Sequence, residues 1–252
     1  MKTADILAWL EAHYPLASQE LWDASGLVLA PKGEVRGLGL SLTLTPENIC
    51  LSQAQGLDLL LVHHPLSFPS EPDALLSRKE RILMGQLSDA GIGLYALHTP
   101  LDKSLMREAL GSALGLVDLR ILDEESGMGG IGTLPEPLPL QEYYDRVKSA
   151  LDLRTMQTAR TAGNPLIRKV AFCGGSGKGL LEKAMEAGDV YLTGDLSYHS
   201  YENGVFFNFP IADIGHHASE APGMKALAAE LEQGLGIKTC YLDSEDFSRL
   251  HL

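Results

Sequence analysis

Leu59-Leu60-Leu61-Val62 is apolar at every position and stops abruptly at His63-His64-Pro65. A run this short is strand-sized, and its lack of alternation means that both faces of the strand must be covered. Strands of that kind belong to parallel sheets, which need a crossover, usually a helix, between neighbours. The same rhythm recurs along the chain. Residues 37–44 read as a strand. Thr45 then caps a helix with Pro46 at its first position, and the helix ends near Gly56. The spacing predicts a helix over 77–90 halted by Gly91, a buried strand over 92–97 and a helix over 105–114. A second run follows: strand 169–173, helix 179–187, strand 189–193 and a short helix after Asp195. It ends with strand 210–214, a long helix from about Ser219 to Leu235 and a last strand from Lys238 to Leu242. Between the runs, residues 119–140 are rich in Gly and Pro and predict antiparallel strands near a domain junction, with a helix over 141–152. The expected fold class is α/β, with two domains of mostly parallel sheet flanked by helices. The boundary is expected near residue 125: 1–125 carries His63-His64-Pro65, and 126–252 carries Thr193-Gly194-Asp195 and the later histidines. The C-terminal segment is expected to pack back on the first domain.

Composition removes several function classes. The formal net charge of −13 opposes a phosphate backbone and argues against non-specific nucleic-acid binding. No apolar run approaches the roughly 18–20 residues that span a bilayer. The N-terminal stretch, with Ile6, Leu7 and Leu10 at helical spacing and acidic residues among them, reads as an amphipathic helix and not as a signal peptide. A cytoplasmic location is the expectation. Cys50, Cys173 and Cys240 form no CxxC pair, so they read as small buried residues and not as disulfides or thiolate ligands.

In doubly wound sheets, sites lie beyond the carboxyl ends of the strands. His63-His64, His98, Asp195 and His216 each follow an apolar strand run. Adjacent residues on a regular strand point to opposite faces, but Pro65 ends the strand and lets the two imidazoles splay. Asp102 stands four residues after His98, past the extended turn that Pro100 imposes. His216 and Glu220 share a helix face at i, i+4, with Ser219 as the expected N-cap; His217 points about 100° away, as second shell or surface. Gly174-Gly175-Ser176-Gly177-Lys178-Gly179 fails the phosphate-loop pattern. Gly179 takes the Ser/Thr position and Phe172 the first glycine position, which leaves an anion cradle or a tight strand-to-helix turn. His63, His64, Asp102, His216 and Glu220 form a mixed nitrogen and oxygen set. It suits zinc, iron, manganese, cobalt or nickel better than calcium. Five such ligands, with a bridging carboxylate, fit two divalent ions roughly 3.5–4 Å apart that activate a water.

Six blocks carry a resemblance over nearly the whole chain: Trp22-Asp23-Ala24-Ser25-Gly26-Leu27, LLLVHHPL, HTPLD, GGIGTLPEPLPLQEYYDRVKSAL, DVYLTGDLSYH and GHHASE. They resemble the Nif-three-like family, whose members carry the name GTP cyclohydrolase 1 type 2 homologue. The resemblance implies two related, intertwined α/β domains and a dinuclear metal centre held by His63, His64, Asp102, His216 and Glu220. It also implies a hexameric ring with sites facing an internal cavity. Ala24, Pro100 and His217 depart from residues frequent in the family; none of them removes a ligand. His98, Asp195 and His199 become candidates for orienting ligands or moving protons. The expected function is a dinuclear metal-dependent hydrolase acting on a nucleotide or another phosphorylated small molecule. The rival is a non-catalytic metal-binding protein in metal handling, assembly or partner regulation. No motif of established guanine specificity is found in the sequence, and the small-molecule substrate is not identified by it.

Overall fold

A computed structural model describes residues 1–68 and 74–242. The chain forms two compact units. The first comprises Met1–Ser104 and a returning segment that begins at Met224; the second comprises Leu105–Gly223. The division therefore falls at two places, neither of them the expected 125. The reason is pairing: residues on either side of 125 form one antiparallel hairpin that belongs wholly to the second unit. The returning segment from Met224 belongs to the first unit. Residues 243–252, at the end of the expected second domain, lie outside the described residues.

The first unit runs α1 (Thr3–His13), β1 (Gly26–Leu29), β2 (Gly37–Ser41), α2 (Pro46–Gln55), β3 (Leu59–Val62), α3 (Ala74–Ala90), β4 (Gly93–Ala96) and the single turn α4 (Thr99–Leu101). Local chemistry sets the ends of α2. The Thr45 side chain accepts the Asn48 N–H at 3.0 Å, Pro46 needs no donor at that position, and Gly56 closes the helix at φ 67°. The central strands β2, β3 and β4 are parallel, with Val62 level with Ala96 and Ser41 level with Val62. β1 joins β4 antiparallel at one edge. Leu60 and Val62 pack with Ile49, Leu83 and Leu87 of α2 and α3. Leu59 and Leu61 point to the opposite face by the pleat and are equally buried, so β3 is covered on both sides as its composition demands.

The second unit runs α5 (Arg107–Ala113), β5 (Val117–Asp123), β6 (Met128–Pro139), α6 (Leu140–Ala150), β7 (Gln157–Thr158), β8 (Leu166–Ser176), α7 (Leu181–Ala187), β9 (Val190–Gly194), α8 (Tyr198–Phe206) and β10 (Ile211–Asp213). Its sheet has the order β5-β6-β8-β9-β10-β7. Only β8–β9 and β9–β10 are parallel there; β5–β6, β6–β8 and β10–β7 are antiparallel. The second sheet is thus mixed, whereas the first is mostly parallel, and both units keep the expected α/β class. Strict alternation buries both faces. Val170, Phe172, Val190 and Leu192 pack with α5 and α6, while Ala171 and Tyr191 pack with Leu181 and Ala184 of α7. The chain then enters α9 (His216–Leu235), which begins in the second unit and continues into the first, and ends in β11 (Lys238–Tyr241) on the free edge of β2. Cys50 is exposed, contrary to the expectation of burial, because it lies on the outer side of α2.

Candidate metal centre

In the first unit the site residues leave the carboxyl ends of neighbouring parallel strands. The β-ladder ends at Val62, but the backbone N–H groups of His63 and His64 still donate to the carbonyls of Ser41 and Leu42 at 3.1 and 2.8 Å. The bend beyond Val62 brings the two rings to 5.0 Å between centroids with a 55° tilt, where a continued strand would send them to opposite faces. His63 is fully buried, and its Nδ1 donates to the Leu97 carbonyl at 3.0 Å. A carbonyl only accepts, so Nδ1 carries the proton and Nε2 carries the lone pair. That Nε2 stands 3.4 Å from Asp102 Oδ1. His64 has its Nδ1 2.8 Å from the Thr43 hydroxyl.

His98 stands two residues beyond β4, and its Nδ1 lies 3.1 Å from Asp23 Oδ1. Asp23 is buried and gathers several donors. Its Oδ2 accepts from the Thr99 N–H at 3.0 Å, from the Thr99 hydroxyl and from the Ser25 hydroxyl at 2.9 Å. Burial alone would raise its pKa, but the hydrogen bonds from His98, Thr99 and Ser25 and the nearby imidazole outweigh it and hold the carboxylate well below its usual range. One ligand atom from each of His63, His98 and Asp102 lies within 4.8 Å of the others.

The second unit repeats the construction. Asp195 follows β9 in the left-handed region at φ 54°, and His216 opens α9 after β10. Asp195 Oδ2 sits 2.6 Å from His216 Nδ1, and Glu220 Oε2 sits 3.2 Å from His216 Nε2. Burial lowers the His216 pKa, but the bonds and charges of Glu220 and Asp195 prevail and push it up to about 9. Gly175 makes room for the Glu220 carboxylate: a Cβ there would stand 2.2 Å from Glu220 Oε1, at a backbone φ of +60°. The glycine-rich segment is thus a close-approach turn. Two of its N–H groups are already committed, Gly175 to the Ser219 hydroxyl and Gly177 to the Thr193 hydroxyl, both at 2.9 Å. Ser219 is not the N-cap, because α9 starts at His216 and the Ser219 hydroxyl donates back to the His216 carbonyl at 2.8 Å. His217 is half-buried in the same first turn.

The structure brings His63 beside Asp102, His64 beside His63, and His216 between Asp195 and Glu220. His199 is not brought to them. It sits exposed on the first turn of α8 with its Nδ1 3.1 Å from Glu202. Asp23, Thr43 and the Leu97 carbonyl, which contact the candidate histidines, were not singled out by the sequence reading, while Gly175 and Ser219 were read only as part of a turn and as a cap. The donor set fits a divalent transition ion. It is mixed imidazole and carboxylate, its imidazoles have Nδ1 anchored on an oxygen, and a glycine vacates the volume that the buried Glu220 carboxylate occupies.

Among the described residues no helix is long and apolar enough to cross a membrane. A protein from Clostridium perfringens called GTP cyclohydrolase 1 type 2 homolog is 30% identical, with 98% of this chain and 97% of that protein covered. One of the same name from Streptomyces coelicolor is 32% identical over 92% of this chain and 86% of its own length. The crystal structure of TTHA1606 from Thermus thermophilus superposes with a TM-score of 0.83 at 28% identity, covering 97% of this chain and 99% of that one. The model of the Duf34/NIF3 (NGG1p interacting factor 3) family matches residues 1–246, and the chain belongs to that family.

Proposed function

We propose that the protein is a metal-dependent hydrolase in which His63, His64, Asp102, His216 and Glu220 hold two divalent transition-metal ions. One observation carries this reading: the same device is built twice. In each unit a histidine at a strand end has Nδ1 anchored on an oxygen and Nε2 beside a carboxylate, at 3.4 Å for His63 and Asp102 and 3.2 Å for His216 and Glu220. A pair of such ions supplies Lewis acidity and generates a nucleophile from water near neutral pH. The chain's own residues do the rest. Leu97 and Asp195 fix ring orientation, and Asp102 and Glu220 supply the negative charge that cations need. The substrate class we propose is a nucleotide or another phosphorylated small molecule, in keeping with the name its relatives carry. We further propose a hexameric ring, supported by Tyr198 and Phe206, each 80% exposed on α8 where a free surface would rarely keep them.

Elemental analysis of protein purified without added metal is expected to give close to two transition ions per chain. Asp102→Ala and Glu220→Ala are expected to abolish turnover of GTP or of a responsive phosphate ester while circular dichroism stays unchanged. Turnover that survives intact in both variants rules the assignment out.

A further inference from the structure

Trp22 is a feature of the first unit that the metal reading does not use. We infer that Trp22 and Phe68 form an aromatic platform that stacks a flat heteroaromatic ring, so that the substrate carries a nucleobase or a ring of that kind. The inference rests on the proposed function and narrows it, because a sugar phosphate without a base has nothing to lay on this platform. Three observations carry it. The first is position. The Trp22 ring meets His98 at 5.6 Å between centroids, and the His98 ring meets His63 at 4.9 Å. The platform is thus two ring contacts from a candidate ligand, within reach of one nucleotide-sized molecule. The second is exposure. Phe68 stands 5.6 Å from Trp22 and 5.7 Å from His98, so three rings gather at one place, yet 44% of Trp22 stays open to solvent. Aromatic surface left open beside a few polar groups is what small-molecule sites are built from. The third is rigidity. Trp22 lies in a turn closed by the Asp23 N–H, which donates to the Glu20 carbonyl at 3.0 Å. Thr99 holds both ends of that turn. Its hydroxyl accepts the Glu20 N–H at 3.0 Å, and its own N–H donates to Asp23 Oδ2 at 3.0 Å. A turn pinned in this way has little backbone freedom left to lose on binding. Stacking on such a ring tolerates any base, because every base has a π-face. Leu21, fully exposed beside Trp22, makes a second copy of the chain the competing occupant; the ring contact with His98 favours the ligand.

Trp9 and Trp22 are the two tryptophans of the chain, so Trp9→Phe leaves Trp22 as the fluorescent reporter. The full chain with that change, supplied with zinc, is titrated with guanosine 5′-monophosphate and separately with ribose 5-phosphate. The nucleotide is expected to quench Trp22 emission, and the sugar phosphate to leave it unchanged. By calorimetry, Trp22→Ala is expected to weaken nucleotide binding about ten-fold or more and Phe68→Ala about five-fold, with ribose 5-phosphate affinity unchanged in both. Trp22→Phe is expected to restore most of the loss. Should Trp22→Ala lose its fold, Trp22→Phe against Trp22→Leu makes the same comparison between an aromatic and an aliphatic side chain. Quenching by the nucleotide in a chain that takes up no metal supports the platform while refuting the two-ion reading. Two bound ions with no quenching refute the platform and leave the two-ion reading standing. The inference is also overturned if Trp22→Ala weakens both probes equally, or if it lowers the particle mass in light scattering and leaves nucleotide affinity intact, which assigns the surface to a second copy of the chain.

Discussion

His216 offers a direct measurement of the balance at its centre. In the metal-free protein its pKa is pushed from 6.5 to about 9, with burial opposing and Glu220 and Asp195 driving the rise. Each pKa unit is worth 1.36 kcal/mol, so the net preference for the imidazolium, carboxylates minus burial, is on the order of 3 kcal/mol before solvent at its 31% exposed side chain screens part of it. The sign follows from linkage. A folded pKa above the unfolded value of 6.5 gives stability that is fully present below about 6.5 and is lost as pH rises through about 9. A metal ion needs the neutral ring, and at pH 7 only about 1% of rings are neutral when the pKa is about 9. Affinity of any ion held by His216 is therefore expected to rise about ten-fold per pH unit between 7 and 8.5. The assay is a proton magnetic resonance titration of metal-free protein, with the His216 ring signal identified by its loss in His216→Gln. The expected midpoint is near 9. Glu220→Gln is expected to lower it most, since that carboxylate contributes the largest upward push, and Asp195→Asn to lower it less. A midpoint at or below 6.5 means that burial wins, and the reasoning about paired carboxylates fails.

Two further outcomes test the packing around the centre. Gly175→Ala adds a Cβ 2.2 Å from the Glu220 carboxylate at a φ of +60°, and is expected to cost about 1–3 kcal/mol in thermal unfolding and to reduce metal content. A melting temperature and metal content equal to wild type would show that the turn yields freely. Phe206→Glu puts a charge on an exposed aromatic of α8 and is expected to reduce the particle mass seen by light scattering. An unchanged mass would remove α8 from the assembly.

The parts of this fold legible in the sequence are those whose cause is local. Thr45, Pro46 and Gly56 mark the two ends of α2 within a dozen residues, and each does in the structure what its chemistry requires. The apolar runs likewise located β3, β4, β9 and β10, because strands buried on both faces are apolar nearly throughout, and the polar Thr193 and Asp213 stand only near the carboxyl ends of β9 and β10. What failed to show has distant causes. β7 is two residues long and exists by pairing with β10, over 50 residues away. The antiparallel β5–β6 hairpin was expected from the Gly- and Pro-rich stretch 119–140, but the choice of β8 as the other partner of β6 leaves no periodic trace in β6 itself. Ser219 has the residue type of a cap, but its hydroxyl is claimed by the Gly175 N–H across the unit, so the helix begins three residues earlier.

The same rule divides the site. His63, His98, Asp195 and His216 could be placed beyond strand ends because a strand end is readable from its apolar run. His199 became a candidate through the family resemblance, and the first turn of α8 places it beside Glu202 on an exposed face. Asp23 shows the opposite error. It stands 75 residues from His98 in a turn-rich stretch, and an Asp two residues before a Ser is ordinary turn chemistry. Only the fold places it under His98, Thr99 and Ser25 with its side chain fully buried. A buried carboxylate with so many donors is expensive to leave unpaired, so the residues around it are constrained as a group. That constraint fixes the His98 ring from behind. A position far from any strand end thereby fixes the orientation of a ring that has a ligand-type atom within 4.8 Å of those of His63 and Asp102.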